Sequence, residues 1–407
     1  MNDVVVTGLG TITPVGGSLS ETWESLLGHE SGAGPITQFD LDTYGYDFRT
    51  RVGCEVAADP SAHPSVDERS AGRHAQFGVV AASEAVADAG FDADDGPDWD
   101  PTRAGVSYAS CLGGQLEIDE HQLRMRDGGR PDTRFSIQSL TSSVAGHASV
   151  VFDARGPNRA PSTACAAGTH AIADAVDDVR LGRADVMIAG GADAGVCSTG
   201  LAAFDSLRAM SSRNDAPTAA IRPFDADRDG FLLGEGAGAL VLESASHAAE
   251  RGATAYAAVT GVGRSADADH LIRPASDGRG LIAAIERALA DADRSPADVD
   301  HVNAHATATP RGDDHEALCL HEVFDDPPPV TANKGNVGHT LGASGAIEGA
   351  ISAASIHEGT IPPTVNHETP DCGVDVVTEP RDADPEVVLA NSAGFGGTNG
   401  AVVFERV

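Results

Sequence analysis

The chain has 407 residues, enough to bury a large core and to hold two domains or one duplicated unit. Its formal net charge is −34, from 61 acidic and 27 basic residues spread along the chain, which excludes nucleic acid as a partner. Such a charge repels itself in dilute buffer but is screened at molar salt, where the Debye length is about 3 Å, so the composition points to the salty interior of a halophile.

The N-terminal residues start a strand at once, without a basic leader, and no apolar run approaches a membrane span. The expectation is a cytoplasmic protein with no membrane partner. The six cysteines (54, 111, 165, 197, 319 and 372) are widely spaced and form no CxxC pair, which excludes a zinc ribbon or a disulfide framework. Of the 27 basic residues 26 are Arg, and Lys334 is the only lysine.

In chain order the pattern runs twice. Val4 to Gly10, an apolar strand ending in Thr-Gly-x-Gly, returns as Ala257 to Gly263. An amphipathic helix predicted over Gln76 to Asp95 returns over Gly280 to Asp300, and the short strand Ala104 to Ser110 returns as Val299 to His305. Each half then has a turn of small residues leading into a helix, around Cys165 in the first and from His339 to Ile347 in the second. Each closes on a strand running into glycines, Ala184 to Gly191 and Val387 to Gly394. Strands and helices alternating at this spacing predict an α/β fold of two pseudo-duplicated halves, residues 1–250 and 251–407, with mixed, mostly parallel sheets and layered helices. Residues 30–75, 112–160 and 198–232 lack counterparts in the second half and read as loops and caps around a site. Gly8 and Gly10 suggest a dinucleotide loop, but position 13 is Thr and the repeat carries the same glycines, so a structural turn is the better reading.

Four groups carry the chemistry. Cys165 lies in Ser162-Thr-Ala-Cys-Ala-Ala-Gly168, just before a helix predicted over His170 to Leu181, where dipole and free N–H groups favour a thiolate and the small neighbours leave room for substrate. His305 ends an apolar strand, and His339 lies in a glycine-rich turn five residues after Lys334. Asn391 to Gly400 is a glycine-rich loop in which the lone Phe395 reads as a cover over a cavity. A metal held by His301, His305, Asp313, Asp314 and His315 is the first alternative, although their spacing matches no zinc pattern.

Five stretches together resemble the elongating β-ketoacyl-acyl carrier protein synthases of the thiolase superfamily. They are Ser162 to Gly168, Val302 to Asp313, Lys334 to Ala346, Asn391 to Gly400, and Arg222-Pro-Phe-Asp-Ala-Asp-Arg-Asp-Gly-Phe-Leu-Leu-Gly-Glu-Gly-Ala-Gly238, in the family's order and across the whole chain. The resemblance implies a thiolase-like fold and a decarboxylative Claisen condensation. Cys165 would hold the acyl group as a thioester, with its N–H and that of Phe395 as oxyanion hole. His305 and His339 would stabilise the enolate left by loss of carbon dioxide from a malonyl thioester. Lys334 and Glu316 resemble the family's charged pair, with Asp313, Thr307 and Thr309 in support. Phe395 resembles its gate and Leu112 a residue of the acyl pocket, while Arg69, Arg73 and Arg208 resemble carrier-docking positions. The resemblance further implies phosphopantetheine-linked thioester substrates on an acyl carrier protein or coenzyme A, no bound cofactor or metal, and a homodimer.

Ala306 stands where the family usually has glycine, and Gly335-Asn336-Val337 departs from its usual stretch. Three readings compete. A thiolase acting on coenzyme A esters is expected to carry a second cysteine in the last glycine loop, where this chain has none. A non-catalytic, chain-length-type partner subunit typically lacks the nucleophile, which is present here. A cysteine hydrolase leaves the second histidine turn unexplained.

Overall fold

The computed structural model describes residues 3–91 and 97–407. Ten strands form one sheet. They are β1 (Val4–Ile12), β2 (Ala104–Ala109), β3 (Asn158–Arg159), β4 (Val186–Ala194), β5 (Glu235–Ser244), β6 (Ala257–Ala266), β7 (His301–Asn303), β8 (Val330–Thr331), β9 (Val387–Gly394) and β10 (Thr398–Glu405). Their order across the sheet is β8-β7-β9-β10-β6-β1-β5-β4-β2-β3. Each strand of the first five thus has a counterpart five places later in the chain, and the order reads the same from both edges. Within the sheet the two series are joined through β1 and β6, where Val5 and Val6 face Ala258 and Ala257.

Five of the nine junctions are antiparallel and four are parallel. The sheet is mixed, as expected, but not mostly parallel. In each series the long outgoing strand (β5 or β10) runs back against both of its neighbours, and only the βαβ units behind it are parallel.

Six helices position the site: α1 (Arg73–Asp88), α2 (Ala167–Arg180), α3 (Ser198–Ser206), α4 (Arg279–Asp291), α5 (Pro310–Val323) and α6 (Ser344–Glu358). Helix α1 covers β2, β4 and β5 on one outer face, and α4 and α5 cover β7, β9 and β10 on the other. Apolar side chains of α2 and α6 share one core with strands of both series. Being wedged between two apolar faces, these helices carry almost no charge on their buried sides; α6 is buried from Ser344 to Ile356. The helix predicted over Gln76 to Asp95 stops at Asp88, and residues 92–96 lie outside the described ones; the one predicted to Asp300 stops at Asp291.

The repeated Thr-Gly-x-Gly is not a turn. It lies inside β1 and β6, and its glycines let a helix press onto the strand. A Cβ on Gly8 or Gly10 would sit 2.1 Å from a carbonyl oxygen of α1, and one on Gly261 or Gly263 2.1 or 1.9 Å from a carbonyl of α4. The threonine is equally structural: Thr7 Oγ1 donates to Glu243 on β5, and Thr260 Oγ1 donates to Glu405 on β10 (2.7 Å).

Candidate active site

The site forms where the two repeats touch. Ala164 (φ 51°) and Leu341 (φ 53°) both occupy the left-handed region, and each opens a short 3-10 turn that feeds α2 or α6. Holding a non-glycine residue there costs on the order of 1–3 kcal/mol, so the surroundings must impose it. The helix starts do this by close contact. A Cβ on Gly168 would lie 2.7 Å from Ala346 N, and one on Gly345 2.6 Å from Thr169 N, so each helix needs its glycine for the other to approach. In this frame Cys165 and Gly342 are equivalent positions, and His339 lies three residues before the second.

The resulting contact is His339 Nε2 to Cys165 Sγ, 3.1 Å. The Leu341 N–H donates to His339 Nδ1 (3.4 Å), which leaves the proton of the neutral ring on Nε2, facing the sulfur. Burial pushes the Cys165 thiol up to about 11, against the pull of the Lys334 charge, so the helix start does not give the thiolate that the sequence suggested. Cys165 is still the most acidic of the six thiols: Cys197 and Cys319 are pushed up to about 12 and the other three higher, all chiefly by burial.

His305 stands beside His339 with ring centroids 5.5 Å apart and planes at 82°. Burial, with Lys334 adding to it, drives both histidines well below the usual imidazole range, so both are neutral N–H donors at neutral pH. The His305 turn hangs on Glu316. The His305 and Ala306 N–H groups donate to its two oxygens (2.8 and 2.6 Å), and Asn391 Nδ2 donates to Oε1 (2.6 Å). Glu316 is therefore not the partner of Lys334, which corrects the pairing taken from the resemblance. Lys334, 1% exposed, bonds Glu348 on α6 instead. Glu348 is the only carboxylate between Lys334 and Glu358, a signal that was present in the sequence.

Two backbone N–H groups, those of Cys165 and Phe395, reach the sulfur. In the other repeat the amide equivalent to that of Cys165 is occupied: Gly342 N–H donates to Asp193 Oδ2 (2.7 Å), and Asp193 also accepts from Ser110, Cys111 and Leu112. The strand position equivalent to Asp193 is Gly394, whose Cβ, if present, would lie 3.1 Å from Cys165 N. Glycine there leaves the amide free to meet an oxygen carrying negative charge.

A cavity of ≈ 470 Å³ ends at Cys165, His305 and His339. Thr307, Thr309 and Phe395 line it, and Arg208 stands on its rim. Thr309 also accepts from Gly312 N–H and caps α5. Phe395 is 38% exposed and tilts onto Phe204 (6.2 Å); Phe204 meets Phe231 edge-on, and Phe231 meets His339 likewise. Leu112 packs into the apolar cluster behind the sulfur. Asp313 is buried off the cavity, where it accepts from Phe224 N–H (2.8 Å). Arg69 is exposed, whereas Arg73 turns inward onto the fully buried Glu235, which removes it from a docking surface. The metal alternative falls as well. His301 bonds Thr331, His315 the Ala275 carbonyl and Asp314 the Arg228 guanidinium, and no metal-holding group of three or more His, Cys, Asp or Glu occurs among the described residues. Sequence reasoning missed Glu348, Asp193, Phe204 and Phe231, which lie outside the quoted nucleophile and histidine turns.

Comparison with known proteins bears on the family and the fold. The family model "Beta-ketoacyl synthase, N-terminal domain" matches residues 1–248, and the corresponding C-terminal domain model matches 256–368. The chain is 38% identical to 3-oxoacyl-[acyl-carrier-protein] synthase 2 of Coxiella burnetii, covering 99% of this chain and 98% of that one. It is 39% identical to the synthase 2 of Staphylococcus aureus, with the same coverage. Among solved structures, a beta-ketoacyl synthase from Burkholderia phymatum superposes with TM-score 0.91 at 33% identity over the full length of both chains. A type II polyketide ketosynthase solved with its acyl-carrier protein superposes with TM-score 0.90 at 31% identity, over 100% of this chain and 99% of that one.

Proposed function

The chain belongs to the β-ketoacyl synthase family, and we propose that Cys165, His305, His339 and Lys334 carry out its condensing reaction in the roles set out below. The enzyme is an acyltransferase of the 3-oxoacyl-[acyl-carrier-protein] synthase type, acting in fatty acid synthesis on carrier-linked thioesters and using no cofactor of its own. One observation carries the assignment of roles: a thiol and two neutral imidazoles converge on the floor of one cavity, with the backbone N–H groups of Cys165 and Phe395 directed at the sulfur.

In the first half-reaction Cys165 Sγ attacks the carbonyl of an acyl thioester. The Cys165 and Phe395 N–H groups hold the oxyanion, and the thiol of the carrier leaves with the proton. In the second, His305 and His339 donate N–H bonds to the thioester oxygen of a malonyl group. The enolate formed on loss of carbon dioxide attacks the acyl carbonyl on Cys165, which expels the thiolate and gives the 3-oxoacyl thioester. Lys334 adds to burial in holding both imidazoles unprotonated. Phe395 gates the cavity, Leu112 borders the acyl chain, and Thr307 and Thr309 hold the arm.

The test is carbon dioxide release from a malonyl-loaded carrier, read across pH. Because both histidines titrate well below 6.5, the rate should change less than about twofold between pH 6 and 8. A fall through an inflection near 6.5 would mean that an ordinary imidazole base carries the step; no release at any pH would remove the condensing role.

We place the halves at 1–250 and 251–407, a division supported by the palindromic strand order and the boundary between the two family matches. A homodimer is supported by the open sheet edge at β3, where a second copy could continue the sheet, and by the exposed apolar side chains Met125, Ile137, Leu140 and Val150 in the segment between β2 and β3. Six unpaired thiols support a reducing, cytoplasmic setting, and no helix among the described residues is long and apolar enough to cross a membrane. The halophilic reading rests on the −34 charge: melting temperature should rise steadily from dilute buffer to molar potassium chloride. Equal melting at both ends would sink it.

A further inference from the structure

In a chain with this excess of carboxylates most guanidiniums are taken up by ion pairs, such as Arg73 with Glu235, Arg103 with Asp185, Arg251 with Glu243 and Arg264 with Asp177. Arg208, Arg273 and Arg311 are different. All three are exposed, none has an ion pair or a side-chain hydrogen bond, and all three line the cavity that ends at Cys165. They come from three separate segments: the loop after α3, the loop after β6 and the first turn of α5.

Backbone bonds fix these segments around the opening. Phe231 N–H donates to the Ala209 carbonyl (3.2 Å), Gly230 N–H to the Ala308 carbonyl (2.9 Å) and Gly396 N–H to the Leu271 carbonyl (2.7 Å). The acids of the cavity wall do not neutralise them. Glu316 is saturated by the His305 turn and Asn391, and Asp267 accepts from Ala275 N–H (3.0 Å) and Asn399 Nδ2 (2.8 Å). A chain with 61 acidic residues thus leaves three guanidiniums unpaired at one opening.

We propose that Arg208, Arg273 and Arg311 form an anion receptor whose ligand is the phosphate of the phosphopantetheine arm that brings the thioester to Cys165, a proposal that rests on the condensing role argued above. On that reading a linear thioester arm reaches Cys165 through this opening, and the anionic group such an arm carries at its outer end is a phosphate. Guanidinium matches phosphate oxygens in a bidentate fork, a direct contact that survives screening better than attraction between separated surfaces. At molar salt, with a Debye length of about 3 Å, steering by the carboxylates of a carrier's surface is largely lost. Recognition then shifts from the carrier's surface to the arm. The phosphate is common to carrier-borne and coenzyme A-borne arms, so the receptor reads either.

The experiment compares pantetheine with 4′-phosphopantetheine in calorimetric binding, and malonyl-pantetheine with malonyl-phosphopantetheine in decarboxylation, both at molar salt. The wild type should favour the phosphorylated arm in Kd and in kcat/KM by at least about tenfold, and Arg273→Gln with Arg311→Gln together should bring that ratio to within about threefold. Arg130→Gln, at an exposed arginine far along the chain from the opening, should leave the ratio unchanged. Malonyl-coenzyme A and the malonyl-loaded carrier should both lose turnover in the double variant, which separates the two sources of the arm from each other if only one does. A wild type indifferent to the phosphate would overturn the proposal. So would a double variant that loses carrier turnover but keeps the preference on free arms, because its arginines would then be meeting the carrier. Absence of decarboxylation with a phosphate preference intact in binding would count against the condensing role and leave the receptor standing.

Discussion

Cys165→Ala is expected to bring 3-oxoacyl formation to background, a fall of roughly 10³-fold or more, while malonyl decarboxylation stays measurable. The two outcomes separate because the acyl group needs the sulfur and the enolate needs only the imidazoles. His305→Ala should show the reverse, with decarboxylation down about 10²–10³-fold and Cys165 still acylated. His339→Ala should differ from both. Its Nε2 lies 3.1 Å from Sγ, so it is expected to slow acylation as well. Intact mass after exposure to an acyl-loaded carrier, together with carbon dioxide release, reads all three variants. Complete loss of acylation in His305→Ala, with melting unchanged, would break this division of labour.

The second large effect is at the buried pair. Lys334 is 1% exposed and Glu348 3% exposed, and burial pushes the Glu348 carboxyl up to about 7 against the pull of the ammonium. Lys334→Ala strands that carboxyl in the core, at a cost of about 3–5 kcal/mol of stability. Lys334→Met with Glu348→Gln removes both charges and should recover most of the melting temperature. It should not recover turnover. The positive charge that reinforces the effect of burial on His305 and His339, and opposes the rise of the Cys165 thiol, is gone. Lys334→Arg keeps a charge but needs space for a planar fork where Gly335 is already flush with Val365, and it should lose about 2–4 kcal/mol of transition-state stabilisation. Melting curves and decarboxylation rates for the three variants decide this. A double variant with rates within about twofold of wild type would show that Lys334 serves only the fold.

What the bare sequence disclosed follows from how local each signal is. The two strand-helix series and the three reactive side chains were legible because their motifs are contiguous and the chain repeats them in one order. The partner of Lys334 was not. Glu316 stood inside a quoted motif and took the role, whereas Glu348 reaches Lys334 only after the chain has turned through His339 and run a turn of α6. Arg73 looked like a surface charge because nothing nearby in the chain announces Glu235, which lies 162 residues on. The glycines of Thr-Gly-x-Gly read as a turn along the chain, although what they accommodate is a helix pressing on a strand, which no window along one segment can show. The thiol was expected to be acidic on dipole grounds alone; burial, a property of the whole fold, outweighs the dipole.

Asp193 and Gly394 hold equivalent places in the two repeats, one closing the amide of Gly342 and the other leaving that of Cys165 open. The duplicated turn thus exists in a plugged and an unplugged version within one molecule. One strained backbone serves two ends: with the Asp193 carboxylate in place it is a closed structural turn, and with Gly394 in that place it is a receptor for negative charge.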